Sequence, residues 1–381
     1  MFVYIFILII LIILSFKYDI MQNKAYRNDA LAFCMVLLTI LSGFRNEVGS
    51  DTVRVYGVYF DNAPNIYQLF TSDFLFNIGS QPLWALMVSL VKTFTKEFFV
   101  FQILQAAFFH FFLYKFLINF EKGVFVILLI LYCILWWDLC FEVIREASCV
   151  VLFLNAMLAL QQSKLKQFML YSVPAIFIHW FAFVPFAILL ICKYISFKAV
   201  TYSIVVLLVL YLIVGKQAET FFNTYALLMD VSGTHAEYYL INGFEGYREL
   251  KMSYIIQLIA IRIIPSIILS VFIQWRSRYD MISKVILFYA FFSILEIRLA
   301  ILHRFLNYFT IPLIVFLVQM IFYTKSKFTL IKTYLSLSLM AMLYVGIMNF
   351  YKPKSLSNEQ FNTRYIPYTS IFEKPYKNRP Y

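Results

Sequence analysis

The chain has 381 residues, of which 62% are hydrophobic and 14% charged, with a formal net charge of +12 and a mean hydropathy of +0.79. A water-soluble domain carries roughly a quarter of charged residues, so this composition excludes a soluble globular protein and makes the bilayer the solvent for most of the chain. The basic excess is not a nucleic-acid signature either: lysines and arginines stand at the ends of apolar runs, as positive-inside bias and anionic headgroups require, and form no stripe or cluster.

The apolar runs are continuous, as in Val124–Trp137, Val200–Val214 and Leu335–Phe350, whereas the strands of a membrane barrel alternate in polarity. The expected fold is all-α: a polytopic integral membrane protein of about 11 (10–13) transmembrane helices. The first run, Phe2–Phe16, has no basic segment before it and no small-residue cleavage site after it, and reads as a retained span. Further spans are expected near 28–43, 98–116, 124–137, 144–160, 168–192, 199–215, 252–274, 285–301, 304–324 and 333–350, and the apolar stretch 78–94 lies in the interface or dips into the membrane. A single transmembrane domain, 1–350, is followed by a basic polar C-terminal tail, 351–381. The five cysteines, Cys34, Cys133, Cys140, Cys149 and Cys192, lie in or beside apolar runs without metal-ligand spacing, and are expected to be packing residues.

The basic loops 17–27, 161–167, 275–284 and 325–332 are expected to be cytoplasmic, and the loops 44–77, 138–143 and 216–251 extracytoplasmic. Between 161–167 and 216–251 two spans are counted where an odd number is required. Either 168–192 is a re-entrant pair broken around Pro174, His179 and Pro185, or part of 216–251 re-enters. The tail falls outside by this count although it is net basic.

Ionisable residues in or beside an apolar run are costly there and are therefore candidates for function. Loop Gly43–Thr52 places Arg45, Glu47 and Asp51 directly after a span, where a solvated turn capped by Asp51 is an equal alternative. Asp138, Glu142, Arg145 and Glu146 are spaced to share one face of a helix start; a paired surface cluster under Trp136 and Trp137 explains the acids better than it explains Arg145. His179 lies mid-run between two prolines and needs a partner or a cavity. Arg262 lies inside a run, lining a cavity or snorkelling to the surface. His303 and Arg304 stand between two spans, with Glu296 and Arg298 one to two turns earlier. Arg45, Arg145, Arg298 and Arg304 thus fall on the extracytoplasmic side, where topology supplies no reason for them, and guanidinium forks suit phosphate oxygens. There is no G-x-x-x-x-G-K, no zinc spacing and no Asp-rich box, so the chemistry is expected to need no metal and no cofactor.

The order of these features resembles a known family. Phe44-Arg45, Val48-Gly49-Ser50-Asp51, Tyr56 and Phe60 are similar to the F-R-x-x-V-G-[TS]-D…Y…F signature of EpsG/Wzy-type polysaccharide polymerases. Gln81-Pro82-Leu83-Trp84 resembles that family's E-P-L-[YF] segment, Ile144-Arg145-Glu146-Ala147 its I-R-Q-x-[LA], and Phe177-Ile178-His179 its F-H-x-S. Arg304–Phe309 resembles its R-x-x-x-Y-F, and Ile366-Pro367-Tyr368 its closing P-Y. Gln81 stands where the family has glutamate, Glu146 where it has glutamine, and Phe181 where it has serine.

The resemblance implies a metal-independent membrane glycosyltransferase at the extracytoplasmic face of a bacterial inner membrane. It would polymerise undecaprenyl-diphosphate-linked oligosaccharide repeat units into O-antigen, capsule or exopolysaccharide. The partners implied are those lipid-linked glycans, the bilayer and a chain-length regulator protein, with no nucleic acid. On this reading Arg145 and Arg304 neutralise the departing diphosphate, His179 or Asp51 is the base at the acceptor hydroxyl, and Arg45, Arg262, Arg298, His303, Tyr308 and Tyr368 contact diphosphate or glycan. The alternatives are a flippase for the same lipid-linked unit, which the lack of an inverted repeat in the sequence disfavours, or another polyprenyl-phosphate-dependent glycosyltransferase.

Overall fold

A computed structural model describes residues 2–71, 81–210, 256, 258–275, 280–296, 302–323, 333, 336–337, 339–340, 342–344 and 364–374. Loop 216–251 and Arg298 lie outside the described residues, as do the first residues of the run expected at 252–274, the last of that at 285–301 and much of that at 333–350. Among the described residues the regular elements are helices and none is a strand. They are α1 (Phe2–Leu14), α2 (Arg27–Gly43), α3 (Val58–Asn62), α4 (Ile66–Leu69), α5 (Pro82–Phe94), α6 (Phe98–Leu117) and α7 (Val124–Ile134). There follow α8 (Ile144–Gln161), α9 (Leu165–Ile178), α10 (Phe183–Tyr194), α11 (Phe197–Leu210), α12 (Ile264–Trp275), α13 (Asp280–Leu295) and α14 (His303–Tyr323).

The all-α membrane architecture holds among the described residues, and the count of eleven spans is not confirmed there. Four described segments are long and apolar enough to cross a membrane: Phe2–Ile20, Phe98–Leu117, Ile144–Gln161 and His303–Phe322. The other apolar helices are shorter, among them α5, α7, α9 and α11. The run 168–192 shows why. Helix α9 stops at Ile178, His179 adopts an extended conformation (φ −154°, ψ 114°), and a single tight turn over Trp180–Ala182 leads into α10. Pro185 falls in the first turn of α10, where its missing N–H costs no helical hydrogen bond, so the break forms upstream of it. The stretch 78–94 yields a regular helix, α5, with Pro82 at its first position, where a proline ring is pre-set for helix entry.

The interior is built around α8, which packs against α6, α9, α10 and α14. Every residue from Ile144 to Leu160 is buried except Arg145 and Leu158. The outer surface is apolar instead: Ile5, Phe6, Ile9 and Ile12 on α1, Leu170 and Phe177 on α9, and Val205, Val206 and Leu210 on α11 are all exposed. In lipid, apolar contact does not distinguish one helix partner from another, so polar side chains tie the helices instead. Gln102 Nε2 donates to the carbonyls of Gly43 and Arg45, both at 2.8 Å, joining α6 to the end of α2. Gln105 Nε2 reaches Ile144 O at 2.7 Å, Asn155 Nδ2 reaches Phe112 O at 2.9 Å, and Trp136 Nε1 donates to His110 Nε2 at 3.0 Å.

One end of the bundle is closed by two segments far apart in sequence, loop 44–52 and the strap 364–374. Arg45 and Ser370 form an antiparallel bridge. Asn46 N donates to Thr369 O (2.8 Å), Ile371 N to Phe44 O (2.9 Å) and Gly49 N to Arg364 O (3.2 Å). Buried Glu142, just before α8, accepts from the backbone amides of Ser50 (3.2 Å) and Asp51 (2.8 Å) and from the Tyr365 hydroxyl (3.0 Å). Burial pushes the Glu142 carboxyl upward, against the opposing pull of the Asp51 amide and the Arg364 charge.

Gly49 makes the loop's turn possible. Its φ is +96°, a region that L side chains rarely adopt, and a Cβ there would meet Phe141 O at 2.5 Å. Gly49→Ala is therefore expected to sharply reduce the amount of folded protein in membranes, measured by detergent extraction and size-exclusion chromatography; wild-type recovery would contradict this account of the turn.

Candidate functional site

Next to that closed end, four parts of the fold bring polar side chains together: the first turn of α8, the first turns of α14, the α9–α10 break and the start of α5. Arg304, Asn307 and Tyr308 are spaced to share one face of α14. Asn307 Nδ2 donates to Glu146 Oε1 at 2.9 Å, which locks that face against the buried N-terminal turn of α8, where a carboxylate also suits the helix dipole. Glu146 feels the charges of both Arg304 and its neighbour Arg145. The guanidinium carbon of Arg304 stands 5.5 Å from the centroid of the Phe181 ring, and that ring lies 5.3 Å from His179.

His179 is buried in the break between α9 and α10, and the charges of Arg145 and Arg304 both act on its ring. Its Nδ1 is 3.1 Å from Nε2 of Gln81, the residue that precedes α5. Tyr56, on the turn Thr52–Gly57, is a common neighbour of Arg145, Arg304 and Asp51, all of which act on its hydroxyl. Asp51 itself is partly buried at the rim, its amide held by Glu142. Arg145, Arg304 and His179 are therefore brought together, with Asp51 beside them.

Three buried polar atoms in this group have no protein hydrogen-bond partner: Arg145 Nε, Gln81 Oε1 and the Tyr308 hydroxyl. An unsatisfied buried polar group costs roughly 1–3 kcal/mol, so a donor and an acceptor left open in one site point to a ligand that supplies both. Two guanidinium groups stand beside the buried Glu146 carboxylate, with Asp138 and Asp51 also acting on this group, and guanidinium forks suit an anion with several oxygens. Among the described residues no group of three or more His, Cys, Asp or Glu side chains is placed to hold a metal ion.

Of the other expected site residues, Tyr308 shares the Arg304 face and His303 adjoins Arg304, while Arg45, Arg262 and Tyr368 hold other parts of the fold. Arg45 is 1% exposed, with Nε donating to Val48 O (3.1 Å), Nη2 to Thr52 Oγ1 (2.9 Å) and Nη1 to Ser42 O, and with its guanidinium over the Phe141 ring. That geometry ties Arg45 to the loop. Arg262 forms an ion pair with Glu296 at 3.2 Å, joining the turn before α12 to the end of α13. Tyr308 is fully buried below Arg304, its ring 5.5 Å from Phe153 in the core. Tyr368 donates its hydroxyl to Leu41 O at 3.1 Å and so fastens the strap to α2. His303 is exposed at the first position of α14.

Residues that the sequence did not single out for the site are Tyr56, Gln81, Asn307 and Phe181; Glu146 was an ionisable candidate without an assigned role. For Asn307 the signal was present as the three-residue spacing from Arg304. For Gln81 the sequence showed only the loss of a carboxylate, because an amide's partner is set by tertiary packing.

A family model described as the EpsG family matches residues 29–370. No curated protein and no solved structure matches the chain.

Proposed function

The chain belongs to the EpsG family, and from that membership and the Arg145–Arg304–His179 site we propose that it is a membrane polysaccharide polymerase. Its substrates on this reading are undecaprenyl-diphosphate-linked oligosaccharide repeat units, joined at the extracytoplasmic face of a bacterial inner membrane into O-antigen, capsule or exopolysaccharide. A chain-length regulator is the protein partner the reading implies.

The observation that carries it is the buried, unpartnered Nε of Arg145, grouped with Arg304 around one carboxylate. In the reaction the acceptor hydroxyl oxygen bonds to the anomeric carbon of the donor, and the bond from that carbon to the diphosphate breaks. The acceptor proton passes to a base, for which His179 and Asp51 are the candidates, and the diphosphate leaves with the electron pair of the broken bond. Positive charge grows on the sugar and negative charge on the leaving group. Arg145 and Arg304, partly buried and already in place, stabilise the latter. Neither arginine donates a proton, so the chemistry asks nothing of them beyond charge and geometry.

The reading is tested by the glycans of a strain lacking the gene. Lipid-linked single repeat units at the surface, returned to long chains by the wild-type gene, support a polymerase. Loss of all surface glycan, with repeat units retained on the inner leaflet, favours a flippase and overturns the proposal.

A further inference from the structure

The contact between Gln81 and His179 bears on which protonation state the ring presents to substrate. Gln81 is 4% and His179 2% exposed, and they meet through Gln81 Nε2 and His179 Nδ1 at 3.1 Å. An amide N–H can only donate, so Nδ1 must be the lone-pair nitrogen, and the single proton of a neutral imidazole then sits on Nε2. The surroundings oppose a positive charge on the ring. It is buried, and the charged groups acting on it are Arg145 on α8 and Arg304 on α14, both cations. The neighbouring carboxylate, Glu146, is engaged by Asn307 and by those same two arginines. Gln81 adds no charge from α5.

We infer that Gln81 is a positioning residue that fixes His179 as a hydrogen-bond donor through Nε2, and that its own orphaned Oε1 accepts a hydroxyl of the sugar being transferred. The inference rests on the polymerase reading and sharpens it. His179 joins Arg145 and Arg304 as a third donor to the leaving diphosphate, and the acceptor's proton goes to Asp51. Gln81 then couples the two halves of the donor substrate: a sugar hydroxyl on one side of its amide, the ring that meets the diphosphate on the other. The open acceptor Gln81 Oε1 and the open donor Arg145 Nε are the complementary pair that such a sugar diphosphate would fill.

Gln81→Glu is the decisive variant. A carboxylate only accepts, so on a neutral ring it draws the proton to Nδ1 and strips the donor from Nε2; it also favours the imidazolium, which the two arginines oppose, and this sets the pH at which the donor returns. The measurement is extension of a lipid-diphosphate-linked oligosaccharide by membranes across a range of pH. The expected result is a loss of about tenfold at neutral to alkaline pH, the weight of one lost hydrogen bond, with recovery at acidic pH where ring protonation restores Nε2–H. Neutral-pH activity equal to or above wild type would overturn the inference, because a ring carrying its proton on Nδ1 with a free Nε2 is a better base. A second comparison does not depend on how that variant folds. His179→Gln keeps a donor but no base, and is expected to retain at least severalfold more activity than His179→Ala; equal loss in both also overturns the inference. Wild-type membranes that fail to extend the substrate at all would instead overturn the polymerase reading.

Discussion

Arg145→Lys and Arg304→Lys are each expected to slow chain extension by about 10²–10³-fold while leaving the amount of folded protein in the membrane unchanged. The size follows from where the charge develops. The diphosphate gains its negative charge as the anomeric bond breaks, and a donor already in place lowers the barrier without reorganising. Lysine keeps the charge but offers a single flexible point donor in place of a planar fork, so it cannot hold two oxygens of one phosphate in register. The protein should tolerate both changes. Arg145 is partly buried, with its Nε unpartnered within the protein, and Arg304 stands partly buried at the first turn of α14 against the face of Phe181. Because both act on one leaving group, the double variant should be little worse than the slower single one. The measurement is glycan chain length and the initial rate of extension in membranes with matched protein levels. Wild-type chains from both single variants would sink the phosphate clamp.

The membrane character and the helical class were legible from the continuous apolar runs alone, because in lipid only a helix satisfies every backbone group within one segment. The number of spans was not, since hydropathy registers polarity and is blind to where a helix breaks. The run 168–192 is apolar on both sides of His179, yet α9 and α10 are separate helices there. The arginines illustrate a second limit. A lone arginine beside an apolar run has the same sequence signature whether it meets substrate or holds a loop. Arg145 and Arg304 converge on one buried carboxylate, while Arg45 is turned inward by carbonyls three residues to either side. Those contacts are local, but they form only because Gly49 lets the loop reverse and because the strap 364–374 pairs with it from the far end of the chain. No spacing rule links Asn46 to Thr369.

Arg45→Ala is expected to remove most of the folded protein from the membrane, and this outcome separates Arg45 from the two arginines of the site. Its guanidinium serves Ser42 O, Val48 O and Thr52 Oγ1; without it the two carbonyls lose that donor, while Thr52 Oγ1 keeps its bond to Phe141 O at 2.6 Å. At roughly 1–3 kcal/mol for each buried group left unsatisfied, the loss is comparable with the total stability of a typical domain, about 5–15 kcal/mol. The damage would also spread. The loop that Arg45 holds carries the amides of Ser50 and Asp51 that satisfy Glu142, and Glu142 in turn receives Tyr365 of the strap. Losing Arg45 therefore loosens the strap and leaves a buried carboxylate short of donors. The observable is the melting temperature of the detergent-extracted protein, with protease cleavage within 364–374 as a local report. A variant that melts like wild type but no longer extends chains would move Arg45 into the diphosphate site and contradict the structural role. Arg45→Lys discriminates further: lysine cannot reach three acceptors arranged around a planar fork, so it should fall close to alanine in stability, whereas Arg145→Lys and Arg304→Lys should melt with wild type and fail only in the reaction.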